Sequence, residues 1–144
     1  MSLANRSRFA RLVQVRTTAA DRVAAELGAL ARTVAEIEEA ASRALREWRS
    51  ALEQPAPDNC SPLDLVDAHA FRLALQRDFD GHTRRARMAR EQLESCRARL
   101  TAARLAVRQV ELWRDRVAAE DTTQETLQEK RANDDLAARI HKST

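Results

Sequence analysis

The sequence predicts an all-α protein: two long helices folded back on each other as an antiparallel coiled-coil hairpin with a Pro-rich tip. Three observations predict it. The composition is that of long helices, with 28 Ala and 23 Arg among 144 residues but only 2 Gly and 3 Pro. Apolar residues recur at alternating spacings of three and four through two segments of nearly equal length. All three prolines lie in the single segment between them, residues 53–62. A β-sandwich or barrel needs Val, Ile, Thr and aromatics punctuated by Gly turns, and aromatics here reach only 3%.

The first helix is expected over residues 3–52. Its seam runs Phe9, Val13, Ala20, Val23, Leu27, Leu30, Val34, Ile37, Ala41, Ala44 and Trp48, with Arg16 as a polar break. Gly28 lies inside it at a cost of about 1 kcal/mol, which a long helix tolerates. A tip loop follows over 53–61. The second helix is expected over 62–141, opened by Ser61-Pro62-Leu63-Asp64. Serine can cap, proline suits the first helical position, and an early aspartate complements the helix dipole. Its seam runs Leu75, Phe79, His82, Ala86, Ala89, Leu93, Cys96, Leu100, Ala103, Val107, Val110 and Val117, interrupted at Arg114. Gly81 beside Asp80 is a kink candidate, which would leave 62–74 as a short tip helix. The whole chain, 1–144, reads as one hairpin domain. Facing residue numbers then sum to roughly 127, give or take half a heptad, which sets Trp48 against Phe79.

The net charge is +3, with arginine the dominant base. That predicts local patches and no strong overall field. Cys60 and Cys96 form no CxxC and have no ligand cluster beside them, so they read as reduced thiols of a cytosolic protein. The N-terminus shows no secretory run, and no stretch approaches the ~20 apolar residues of a membrane span. Two glycines cannot supply a phosphate-cradling loop plus the usual turns. No Ser/His/Asp or Cys/His constellation is apparent. His69, His82 and His141 lie far apart, and the Asp78/His82 pair alone does not make a metal site. The expectation is a protein that is not an enzyme, with no catalytic residues, no metal and no cofactor.

Three segments stand out as candidate sites. Arg84, Arg85, Arg87, Arg90, Arg97, Arg99, Arg104 and Arg108 run against only Glu91 and Glu94. This is either a patch for phosphates or an acidic partner, or the solvated face of a helix. The second reading is the plainer one, since no aromatics interleave as in single-strand binders. Near the tip, Phe71, Leu75 and Phe79 gather opposite Leu45, Trp48 and Leu52. A two-helix layer cannot hide three large aromatics, so Trp48, Phe71 and Phe79 are candidates for docking a partner. The C-terminal stretch from Ala118 has only Leu127, Leu136 and Ile140 as large aliphatics. It carries Gln128, Glu129, Lys130, Arg131, Asp134, Asp135 and Arg139, and is expected to fray alone and to order on a partner.

With its two seams, its tip break and its C-terminal QEKRANDDLAAR, the chain resembles the FliJ/YscO family of type III secretion systems. Family members tend to carry a Glu/Gln-Lys pair followed a turn later by an acidic pair. Gln128, Glu129, Lys130, Asp134 and Asp135 match that trend, with Asp135 departing from the commoner Glu. The resemblance implies a non-catalytic stalk or adaptor, similar to the gamma subunit of rotary ATPases, that couples a hexameric export ATPase to the export gate. It implies that the paired termini enter the ATPase pore, through Gln128, Glu129, Lys130, Arg131, Asp134, Asp135 and Arg139. It further implies that Trp48, Phe71, Leu75 and Phe79 at the tip meet the export-gate membrane protein, and that export chaperones are partners in some members. The corresponding location is cytoplasmic, peripheral to the inner-membrane apparatus, as a monomer or weak homo-oligomer. The Ala/Arg-rich composition leans towards a virulence-type system. Two readings from other classes stand beside it: an arginine-rich coiled coil that binds nucleic acid, which the near-balanced charge disfavours, and a generic homo-oligomeric scaffold.

Overall fold

The computed structural model describes residues 3–142, and its two elements are α1, Leu3–Glu53, and α2, Pro62–Lys142. No strand occurs among the described residues. The two helices pack antiparallel, the hairpin that the two seams predict.

The prolines act as breakers. α1 stops at Glu53, just before Pro55 and Pro57, and α2 begins at Pro62, where a missing N–H costs nothing. Ser61 and Asp64 form a reciprocal cap. The Ser61 N–H donates to Asp64 Oδ2 at 3.0 Å, and the Asp64 N–H donates to Ser61 Oγ at 3.2 Å. The Ser61 hydroxyl donates a further bond to the same carboxylate at 2.8 Å. These bonds from the Ser61 side chain and backbone hold the Asp64 carboxyl below its ordinary value of 3.8. A lowered folded pKa means that the cap contributes fully above the unfolded carboxylate value and is lost as pH falls through the lower folded one. Protection of the Ser61, Asp64 and Leu65 amides, relative to their intrinsic exchange rates, should therefore weaken only at pH below the ordinary carboxylate range. Asp64→Asn should show fast exchange already at neutral pH, and pH-independent protection would refute this role of the carboxylate.

Helical hydrogen bonding runs without interruption through Gly81, which has no positive φ. Residues 62–74 are thus the opening of α2 and not a separate tip helix. One glycine costs about 1 kcal/mol, and the Ala-, Leu- and Arg-rich turns on both sides propagate across it.

Packing divides into two units, each holding a piece of both helices. In the unit spanning residues 23–99, the buried side chains are Val34, Ala44, Ala51, Ala86, Ala89 and Cys96. Four of these six are alanines, so the helix surfaces approach closely and bury little area per layer. Trp48 stacks on Phe79, the expected facing pair, with centroids 5.9 Å apart and planes 10° from parallel. Arg90 pairs with Glu38, and Arg99 with Glu26 at 3.0 Å, stepping backwards along α1 as α2 advances. The Cys96 thiol points at the Val23 carbonyl, with sulfur and oxygen 3.9 Å apart. Arg72 closes the unit at the tip. Its Nε donates to the Ala51 carbonyl at 3.1 Å and a terminal nitrogen to that of Gln54 at 3.2 Å. α1 has no basic residue in its own last turn, so α2 supplies the cation that its C-terminus favours.

The second unit holds α1 up to Arg22 and α2 from Leu100 onward. Its buried side chains are Ala20 and Leu100. Phe9 meets Trp113 edge to face, centroids 5.1 Å apart and planes at 88°. That geometry suits the ring quadrupoles, with one ring's edge on the other's face. Trp113 belongs to neither expected seam position. The neighbouring seam residue, Arg114, turns instead to Asp115 at 2.8 Å. From Thr122 through Lys142 every described residue is exposed, yet the segment is helical. No Gly or Pro follows Gly81, and the Thr122 and Thr126 hydroxyls donate to the Ala118 and Thr122 carbonyls, each at 2.8 Å, a back-bonding that slightly weakens a helix.

Candidate functional site

The four tip candidates separate into two groups. Trp48 and Phe79 are half-buried and engaged with each other inside the seam. Phe71, 59% exposed, borders a shallow groove together with Leu75, Ala51 and Arg46. Only the second group presents apolar surface outward. The reason is where α1 ends: residues 62–71 of α2 are all exposed, and Arg72 is the first to reach α1 backbone. Sequence reasoning passed over Leu63, Leu65, Val66 and Leu73, which are exposed by 69%, 51%, 63% and 38%. Their signal was present as an apolar run, PLDLVDAHAFRL, without a seam partner in α1.

The seven C-terminal candidates are all exposed on α2. Helical spacing places Gln128, Arg131, Asp135 and Arg139 along one face, with Arg131/Asp135 and Asp135/Arg139 both four apart. Lys130 and Asp134 share a second face at the same spacing, and Glu129 lies between the two. The result is a slender charged helix of alternating sign, able to meet charged groups on several sides at once.

Half of the basic stretch is already compensated. Arg90, Arg97, Arg99 and Arg108 pair with Glu38, Glu94, Glu26 and Glu111, all with exposed or partly exposed side chains. Such surface pairs are worth about 0–1 kcal/mol each, but they cancel much of the local field. His82 lies 3.6 Å from Asp78, the one His–carboxylate contact of the earlier spacing argument. No group of three His, Cys, Asp or Glu among the described residues is placed to hold a metal. No helix of the described residues is long and apolar enough to cross a membrane.

The described residues thus offer an alanine-lined seam, an exposed apolar opening of α2 and a charged, exposed C-terminal run of the same helix. The family model described as "Flagellar FliJ protein" matches residues 5–143, nearly the whole chain. This chain belongs to the FliJ family, a non-enzymatic component of flagellar protein export, as its C-terminal motif suggested. No curated protein and no solved structure matches it significantly.

Proposed function

We propose that this chain is the stalk of a type III export apparatus, coupling a hexameric export ATPase to the export gate from the cytoplasmic side of the inner membrane. The observation that carries the reading is the C-terminal run of α2. It is helical, exposed from Thr122 through Lys142, and bears the family-like charge pattern of Gln128, Glu129, Lys130, Arg131, Asp134, Asp135 and Arg139. A thin charged helix of this kind suits a narrow pore lined by charged rings, and export chaperones are further partners. The matched description favours a flagellar system over the virulence-type system towards which the composition leans. Co-elution of the full-length chain with a hexameric export ATPase, and stimulation of its ATP hydrolysis, test the reading. A chain that does neither ends it.

The gate end is assigned to Phe71 and Leu75, with Trp48 and Phe79 supporting them from within the seam. Phe71→Ala should leave the melting temperature unchanged and weaken gate binding by roughly tenfold, as expected of an exposed aromatic anchor. Phe79→Ala should instead lower the melting temperature, because it strips the ring stacked on Trp48. If Phe71→Ala binds the gate with undiminished affinity, the docking surface lies elsewhere.

A further inference from the structure

The opening of α2 carries an apolar stripe that faces away from α1. Leu63, Val66, Ala70 and Leu73 fall at i, i+3, i+7 and i+10, the spacing of a coiled-coil seam. All four are exposed, Leu63 and Val66 by more than three-fifths of their surface. Arg77 follows at the next seam position and ends the stripe, which is about three helical turns long. Phe71 and Leu75 lie on another side of the helix, towards the groove beside Ala51. The stripe is therefore not the surface assigned to the gate.

Charge identifies what fits it. The 22 residues from Ser50 through Phe71 contain Glu53, Asp58, Asp64 and Asp67 but no Lys or Arg, in a chain with 25 bases. Asp67 borders the stripe directly, one turn after Leu63 and one turn before Ala70. An apolar seam with an acidic border is complementary to an amphipathic helix whose apolar stripe is flanked by Lys or Arg. Ala70 in mid-stripe leaves room for the partner backbone to come close. An anionic lipid surface would be repelled by the same four carboxylates, and so would the tip of a second copy.

We propose that Leu63, Val66, Ala70 and Leu73 form a docking seam for a basic amphipathic helix of a partner protein. The proposal does not depend on the stalk reading, because the substitutions expected to weaken binding leave Phe71 and the C-terminal helix untouched.

The probe is a synthetic amphipathic peptide of about three heptads, with Leu at the seam positions and Arg at the flanking ones, titrated against the full-length protein. A counterpart with Glu in place of Arg is the control. The Arg peptide should bind and the Glu peptide should not. Leu63→Ala combined with Val66→Ala should weaken binding at least about tenfold, while helicity is retained because alanine is the better helix former. Asp67→Asn should also weaken it, and Phe71→Ala should have no effect. Equal binding of both peptides, or binding indifferent to the Leu63/Val66 change, overturns the proposal. So does a preference of this stripe for phosphatidylglycerol vesicles, or concentration-dependent self-association that the same double variant removes.

Discussion

Ala86→Leu should lower the melting temperature by roughly 5–10 °C, whereas Ala98→Leu in the same helix should leave it unchanged. Ala86 is only 4% exposed and lines a groove together with Ala41, Ser42 and Leu45 of α1. Ala98 is exposed. Leucine and alanine differ little in helix propensity, so the pair isolates packing. At position 86 three extra heavy atoms must enter a layer built for close approach. α1 would be forced outward there, loosening the Arg90–Glu38 pair and the Trp48–Phe79 stack that lie on either side. Overpacking of this kind costs about 1–3 kcal/mol, a large share of the stability of a two-helix protein with no fully buried side chain among its described residues. Equal melting of the two variants would mean that the alanine seam is not closely packed.

Much of this arrangement was legible before any coordinates. The two seams need only periodicity, the break needs only proline, and the Ser61/Asp64 cap needs only residue chemistry at fixed spacing. The Trp48–Phe79 pairing followed from equal seam lengths, since a hairpin joined by a short loop has little freedom of register. What escaped depends on where one helix stops covering the other. Leu63, Val66 and Leu73 are apolar residues like any other until α1 ends at Glu53 and leaves them in water. Trp113 is off the seam by spacing, and it meets Phe9 only because a large ring reaches sideways across the interface. Gly81 was over-read: a single glycine is a weak breaker when long helical runs flank it on both sides. The C-terminal candidates were legible as a charge pattern alone. Without a partner surface, helical spacing arranges them on faces but does not say which face is used.

Truncation after Thr126 should abolish binding to the export ATPase while barely changing the melting temperature. Residues 127–142 are exposed throughout, including Leu127, Leu136 and Ile140 at 52%, 59% and 61%. Removing them therefore uncovers little apolar surface and should cost little stability. An exposed helix of this length is marginal in water, so binding must also order it, and that cost has to be met by contacts with the partner. Lys130, Arg131 and Arg139 on one hand, and Glu129, Asp134 and Asp135 on the other, would contribute little on a free surface. In a partly desolvated channel each matched pair is worth about 1 kcal/mol or more. Several such pairs span the range from no detectable binding to a stable complex, at about tenfold in affinity for each 1.4 kcal/mol. Lys130→Glu with Arg131→Glu should reproduce most of the loss while keeping the helix whole, which separates charge recognition from mere length. If the truncated chain binds and stimulates the ATPase as well as the full chain, this end is not the ATPase-binding element. The charge pattern of residues 128–139 would then be only that of a solvated helix.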